Sequence, residues 1–258
     1  MFGWWKARRR RQRLERPFPA EWQQLLESRC RHYAALPPAQ QQLLRDRLRL
    51  LIEEKHWEGC NGVKVTLEMQ ITIAAQAALI GLGFPTVPFD RLLSILIYPD
   101  AFLARQPQAV PWGYENRDIP ALGQAAYQGP VLLSWREVAR DCFEFPAGRN
   151  VVIHEFAHLL DMADHRVDGM PTLSTPEETA AWEETVPMEF RRLRRQQAQG
   201  RRTLIDEYGA SSEVEFFAVA SETFFERPQE LAAQHPRLYA VYRSFYKQDP
   251  AEWRKSGE

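Results

Sequence analysis

The chain is poor in cysteine and lacks any long apolar run. Three cysteines are spread over 258 residues, and none forms a CxxC pair. This scarcity excludes a disulfide framework and a cysteine-based metal site, and it favours reduced thiols in a cytoplasmic compartment. No segment is long and apolar enough to predict a membrane-spanning helix, and no signal-peptide pattern follows the start. We therefore expect a cytoplasmic protein with no membrane partner.

Net charge is also nearly absent, at −1 for the whole chain, so the overall composition gives no electrostatic bias toward nucleic acid. Residues 1–16 are the exception, with seven basic side chains and one acidic side chain. With Trp4 and Trp5 as anchors, this arm could touch phosphate or acidic lipid. The alternative is a solvated terminus, which is common for charge runs at chain ends. We expect the second, a basic, disordered arm at residues 1–16, and no direct contact with nucleic acid.

The remaining sequence predicts one globular domain at residues 17–258. Hydrophobic residues make up 45% of the chain, enough for a sizeable core. Apolar periodicity predicts helices, short apolar runs predict two strands, and a region rich in proline and glycine predicts a long surface connection. Many helices with few strands predict an α+β fold, mainly helical, with a small mixed β-sheet. The predicted helices are 19–33, 37–54, 66–82, 175–199 and 236–246, the strands 92–98 and 131–135, and the connection 107–128. The domain divides into a helical brace at 17–56 and a catalytic part at 57–250.

The strongest chemical signal is the stretch NVVIHEFAHLLDMA at residues 150–163. In a helix, His154 and His158 stand one turn apart on the same face. Two imidazoles at this spacing can bind one zinc ion about 2 Å away. Glu155 points beside that ion, where it can take a proton from a bound water. Most other side chains here are apolar, so the pattern predicts a buried helix with an HExxH zinc site and Glu155 as general base.

The strand predicted just before this helix has a candidate role in substrate binding. An extended peptide can pair with the edge of a strand through main-chain hydrogen bonds. The segment 128–135 is a candidate for such an edge. The alternative is that it forms an interior strand.

A catalytic zinc site commonly has three protein ligands and one water, so a third ligand is needed. Asp164 lies six residues after His158, at the metzincin spacing, but Asp161 stands where that pattern needs a glycine. His165 shares the helix face only if the helix continues for two turns, which is too far along the axis to meet the same ion. Glu215 is the third candidate.

Glu215 lies in a second strongly apolar stretch, SSEVEFFAVASETFFERP, which predicts another buried helix with Ser212 at its N-cap. A structural alternative exists, because Glu215 would complete a capping box with Ser212. However, a carboxylate in so apolar a helix is costly to bury without a cation, and a zinc ion supplies one.

HEFAH at 154–158, Tyr208, and Glu215 within EFFA resemble the gluzincin site of the lethal-factor type. The sequence resembles still more closely the Mlc titration factor A family (MtfA) of bacterial zinc metallopeptidases. The runs LLSILIYPDAF, VLLSW and HLLDMADHRVDGMP agree with that family. The resemblance covers about residues 57–250, leaves the arginine-rich start outside, and implies a zincin-like metallopeptidase fold.

The resemblance also implies roles for the matching residues. His154, His158 and Glu215 would bind one Zn²⁺ per chain, and Glu155 would be the general base. Tyr208 would donate its phenol to the oxyanion that develops on the attacked carbonyl. From the sequence alone, Tyr208 is equally a loop tyrosine packed on the core.

Two further acidic residues are candidates to orient a ligand through a hydrogen bond. Asp161 is the first, and its alternative is a helix-end residue facing solvent. Glu222 is the second, and its alternative is an ion pair with an arginine such as Arg227.

The predicted function is hydrolysis of peptide bonds by a metal-activated water. The family resemblance implies an aminopeptidase-like preference and a link to the regulation of glucose uptake through the Mlc transcriptional repressor as partner. The alternative function is a regulatory binding protein that sequesters an Mlc-type repressor, with peptidase activity secondary.

Overall fold

The computed structural model describes residues 2–110, 113–121, 123–125, 129–143 and 148–253. It is mainly helical with a small mixed sheet, which confirms the predicted fold class. The described helices are α1 (Phe2–Leu14), α2 (Ala20–Arg29), α3 (Pro38–Glu54), α4 (Leu67–Gly81), α5 (Trp135–Phe143), α6 (Val151–Asp161), α7 (Pro176–Ala198), α8 (Glu213–Glu226), α9 (Pro228–Gln234) and α10 (Pro236–Tyr246). The described strands are β1 (His56–Gly59), β2 (Ser94–Tyr98), β3 (Phe102–Val110), β4 (Gly113–Ala121), β5 (Gly123–Ala125) and β6 (Val131–Ser134).

The two helices that carry the predicted site, α6 and α8, begin at polar caps. The side chain of Asn150 accepts a hydrogen bond from the backbone N–H of Ile153 at 3.1 Å. The side chain of Ser212 accepts from the backbone N–H of Glu215 at 3.1 Å. Each cap satisfies an N–H group that has no partner within the first helical turn. The caps therefore fix where both helices begin.

The main sheet has four strands in the order β1–β2–β6–β5. The first three run parallel, and β5 pairs antiparallel with β6, with Gly123 opposite Leu133. The candidate substrate edge at residues 128–135 is therefore wrong, because β5 covers that side of β6 and makes it an interior strand. Position 128 itself lies outside the described residues. The strand at the end of the sheet nearest α6 is β5.

The predicted surface connection at residues 107–128 holds most of a β-hairpin and the strand β5. β3 and β4 pair antiparallel from Phe102 opposite Ala121 to Val110 opposite Gly113, forming a second sheet of two strands. Proline is rare in strands because it cannot donate to the ladder, but a two-stranded sheet tolerates it since each strand has an unpaired side. Because of Pro107 and Pro120, the sequence pattern did not predict this hairpin.

Phe2–Leu14 forms the helix α1, so the disordered arm expected from the sequence at residues 1–16 is wrong for this stretch. Ion pairs hold one face of α1 against the domain. Arg10 Nη2 lies 2.5 Å from Glu54 Oε2, and Arg13 Nη1 lies 2.9 Å from Glu54 Oε1. At the end of α1, the buried guanidinium of Arg49 donates to the backbone oxygens of Arg13 and Arg16. Distant partners thus order a segment whose local composition resembles a solvated tail.

One hydrophobic core joins the helices to the main sheet. α6 packs between α4, α8 and β5, and the fully buried ring of Phe156 meets Phe89 edge to face at 4.8 Å. Leu26 and Leu48, from the predicted brace at 17–56, belong to the same core. The division into a brace and a catalytic part stays a prediction. In the parts of the chain that the structure describes, no helix is long and apolar enough to cross a membrane.

Candidate active site

Three side chains from two helices converge on one point. His154 and His158 lie one turn apart on α6, and Glu215 comes from the first turn of α8. Nε2 of His154 lies 3.1 Å from Nε2 of His158 and 3.1 Å from Oε2 of Glu215. Nε2 of His158 lies 3.5 Å from the same carboxylate oxygen. The structure therefore brings together the three predicted metal ligands.

The spacing of these atoms fits a metal ion. Ligands about 2.0–2.1 Å from a tetrahedral zinc ion lie about 3.3 Å from one another, close to the three distances observed. Oε2 of Glu215 is buried and makes no hydrogen bond among the described residues. A buried carboxylate oxygen facing two ring nitrogens is expensive unless a cation lies between them. The two imidazoles and one carboxylate are the donor set that suits zinc and similar divalent metals.

The electrostatics of Glu215 suit a metal ligand. Burial disfavours its charged form, but the imidazoles of His154 and His158 outweigh burial and hold the pKa of Glu215 well below its usual range. The carboxylate is therefore ionised at neutral pH, as metal binding requires.

Glu222 orients His154 from the side opposite the cluster. Its Oε1 accepts a hydrogen bond from Nδ1 of His154 at 2.7 Å, and its Oε2 accepts from the backbone N–H of Asn150 at 2.5 Å. A carboxylate only accepts hydrogen bonds, so Nδ1 carries a ring proton and Nε2 is the nitrogen left to bind a metal ion. Glu222 therefore takes the orienting role and not the alternative one, because Arg227 pairs with Glu230.

Glu155 is buried beside the two histidines and against the edge strand β5. A Cβ atom at Gly123 would lie 2.4 Å from Oε1 of Glu155, so glycine at this position lets the carboxyl lie directly against the strand. Burial raises the pKa of Glu155 above its ordinary value, although the neighbouring histidines act in the opposite direction. The residue is thus a carboxyl of increased basicity at the position where the HExxH pattern expects the general base.

Tyr208 lies in a short 3-10 turn just before α8, where Asp206 accepts its backbone N–H at 2.9 Å. Its ring centroid is 6.0 Å from that of His154, and 57% of the residue is exposed. Partial burial, with the carboxylates of Glu215 and Glu155, raises the pKa of Tyr208 to about 12. The phenol therefore keeps its proton at neutral pH and faces the cluster as a hydrogen-bond donor.

Sequence comparison agrees with this geometry. Residues 4–247 match the family model described as glucose-regulated metallo-peptidase M90. The chain belongs to the M90 metallopeptidase family. The match begins within α1, so the arginine-rich start, which the sequence analysis placed outside the resemblance, lies largely inside the family.

Relatives of this M90 metallopeptidase match it over most of their length. It is 39% identical to the uncharacterized protein slr2042 of Synechocystis sp. over 249 residues, which is 95% of this chain and 90% of that protein. It is 34% identical to Mlc titration factor A of Edwardsiella ictaluri over 228 residues, 85% of this chain and 84% of that protein. It is 31% identical to Mlc titration factor A of Klebsiella pneumoniae strain 342, with 98% and 94% covered. The resemblance to that family is confirmed.

The two rival third ligands lie outside the cluster of this M90 metallopeptidase. Asp164 is exposed, and its Oδ1 accepts the backbone N–H of Arg166 at 3.0 Å. His165 is exposed and adopts the left-handed conformation, with φ 75°, at the end of a 3-10 turn that follows α6. The chain thus turns away from the cluster before either side chain can reach it.

Asp161 has a different role from the one predicted. It is fully buried, so the solvent-facing alternative is wrong. Its Oδ2 accepts the backbone N–H of Gly169 at 3.2 Å, while its Oδ1 and Nδ1 of His158 make no hydrogen bond within the described residues. Burial raises the pKa of Asp161 to about 6. Asp161 therefore anchors the loop after α6, and the predicted hydrogen bond to a ligand histidine is not formed.

Proposed function

We propose that this M90 metallopeptidase is a zinc-dependent peptidase in which His154, His158 and Glu215 hold one zinc ion. The observation that carries the proposal is the convergence of two ring nitrogens and one carboxylate oxygen at 3.1–3.5 Å spacing beside a buried carboxyl group. When bound, zinc supplies a Lewis acid and lowers the pKa of a water ligand. The substrate class, peptides, follows from membership of the family.

The chain's own residues provide proton transfer and charge stabilisation. Glu155 accepts a proton from the attacking water and returns it to the leaving amine, a role supported by its buried position beside the two histidines. Tyr208 donates its phenolic O–H to the oxyanion on the attacked carbonyl, which it can do because the phenol stays protonated. Glu222 keeps Nε2 of His154 directed at the ligand cluster through the bond at Nδ1.

The end strand β5 is the proposed docking edge for an extended peptide. It terminates the main sheet and runs next to Glu155, since Gly123 touches that carboxyl. Main-chain pairing with β5 would place a peptide bond beside the general base. An aminopeptidase-like preference is proposed on the family resemblance.

The second candidate function is regulatory binding of an Mlc-type transcriptional repressor. Its support is that two relatives named Mlc titration factor A align with 85% and 98% of this chain, at 34% and 31% identity. In this role the protein would sequester the repressor and so regulate glucose uptake, with peptidase activity secondary. A cytoplasmic location is proposed for both functions, in keeping with the three unpaired thiols.

A Glu155→Gln variant separates the two functions. The zinc-loaded full chain is assayed on peptides with free and with acetylated amino termini. Loss of the general base should lower kcat by about 10²–10⁴-fold and leave metal content unchanged. The matched control is Glu213→Gln, an exposed carboxylate in the first turn of α8. Hydrolysis by Glu155→Gln at the parent rate would remove Glu155 from the mechanism. Repressor binding by a parent chain that hydrolyses no peptide would favour the second function.

A further inference from the structure

The helix α1 has two faces with different partners. Its inner face is held by the ion pairs of Arg10 and Arg13 with Glu54 and by Lys6 Nζ, 3.1 Å from Asp90 Oδ2. These partners come from the end of α3 and the loop before β2, so α1 lies along the outside of the domain. The orientation of the helix is therefore set by its inner face, and its outer face is fixed relative to the rest of the protein.

The outer face of α1 combines tryptophan with arginine. Trp4 and Trp5 are 60% and 53% exposed, and their rings meet edge to face at 5.1 Å. The exposed side chains of Arg8 and Arg9 follow one turn later, with the guanidinium of Arg8 over the ring of Trp4 at 5.5 Å. Leu93, which is 71% exposed, lines with Trp5 and Arg9 a groove between α1 and the domain that also contains Glu54 and Asp90. Three of the large hydrophobic side chains that the described surface exposes are thus gathered around α1.

We propose that the outer face of α1 binds the surface of an anionic lipid bilayer. Residues 1–16 carry a charge of +6 in a chain whose total is −1. The ion pairs of the inner face with Glu54 and Asp90 offset part of this charge, which leaves the exposed guanidinium groups of Arg8 and Arg9 on the outer face. Guanidinium groups attract lipid phosphates, while indole rings prefer the headgroup level, where one edge is apolar and the other is wet. A bilayer surface offers phosphates to the arginines and an apolar boundary to the tryptophans, whereas duplex nucleic acid offers only phosphates for the arginines.

This proposal departs from the expectation of no membrane partner. That expectation rested on the lack of a membrane-spanning segment and on the prediction that residues 1–16 are a disordered arm, in which charges and tryptophans have no common face. The ordered helix places Trp4, Trp5, Arg8 and Arg9 on one side, while its inner-face basic side chains pair with acidic groups of the domain. The geometry is that of a helix lying in the membrane plane, and it requires no membrane-spanning segment.

The test is flotation of the full chain with vesicles of phosphatidylcholine alone and with vesicles containing roughly one third phosphatidylglycerol. The expected result is binding to the anionic vesicles only, weakened by salt. The double variant Arg8→Gln and Arg9→Gln should lower the affinity for anionic vesicles about 25-fold, because each charge removed should weaken binding about fivefold. Trp4→Ala with Trp5→Ala should also lower it, by at least about tenfold. The matched control, Arg191→Gln with Arg194→Gln, removes two exposed charges from α7 and should bind as the parent does.

Several outcomes would overturn the proposal. The first is that the chain, shown by circular dichroism to be folded, does not float with anionic vesicles at low salt. Another is equal loss of binding in the α7 control, since that would mean unspecific attraction. A third is unchanged vesicle binding after both tryptophans are removed. Tighter binding to a DNA duplex than to vesicles, lost with Arg8 and Arg9 alone, would assign the face to nucleic acid.

Discussion

Replacing Glu222 by glutamine tests whether this carboxylate positions a metal ligand. Glu222 accepts two hydrogen bonds, from His154 Nδ1 at 2.7 Å and from the backbone N–H of Asn150 at 2.5 Å. A glutamine amide has one acceptor oxygen, so one of these buried donors loses its partner. Such a loss costs about 1–3 kcal/mol. Loss of a carboxylate behind a ligand histidine lowers metal affinity by about 10–100-fold.

The assay is zinc affinity of the folded protein, measured by competition with a chromogenic chelator, together with urea unfolding. The chain offers a matched control in Glu189→Gln. Oε2 of Glu189 lies 2.8 Å from Nδ1 of His235, and both residues are buried, but neither belongs to the ligand cluster. Both variants should lose similar stability, whereas only Glu222→Gln should lose zinc affinity. Equal zinc affinity of Glu222→Gln and the parent would refute the positioning role.

Two further predictions follow from single contacts. Gly123→Ala should lower kcat/KM at least about tenfold with zinc affinity unchanged, because the added Cβ would lie 2.4 Å from Oε1 of Glu155 and force that carboxyl out of its position. Arg10→Met should lower the free energy of unfolding by about 1–2 kcal/mol at pH 7. Burial would raise the pKa of Glu54 and Asp90, but Arg10 holds both below their ordinary values of 4.5 and 3.8. That contribution is therefore present above about pH 4.5 and is lost as the pH falls below about 3.8, so the difference between parent and variant in urea unfolding should shrink there. A difference that does not change with pH would contradict the ion-pair account.

The core of the site was predictable because its signals are local in sequence. The spacing of His154 and His158 and the apolar residues around them specify a buried helix with one polar stripe. Ser212 marks the start of the second helix, and the cost of burying Glu215 in it, together with the family resemblance, pointed to this residue as the third ligand. The structure places all three side chains together.

The parts that could not be predicted depend on contacts between distant segments. The close approach of Gly123 to the HExxH helix leaves no pattern in either segment. Likewise, the sequence does not tell whether Glu222 pairs with an arginine or with a histidine, because the answer depends on how α6 and α8 pack together. The helix α1 depends on Glu54 and Asp90, which composition alone does not connect to the basic run. Pro107 concealed the hairpin for a different reason, since proline is scarce in most strands.

The measurement that most directly tests the central claim is the zinc content per chain of the parent, of Glu215→Ala and of Glu213→Ala. Both variants remove a glutamate from the first turn of α8, but only Glu215 reaches the two histidines. We expect about one zinc ion per chain in the parent, as for a single catalytic site. We expect the same in Glu213→Ala and almost none in Glu215→Ala. Full zinc occupancy in Glu215→Ala, or a parent that takes up no zinc when it is supplied, would contradict the account.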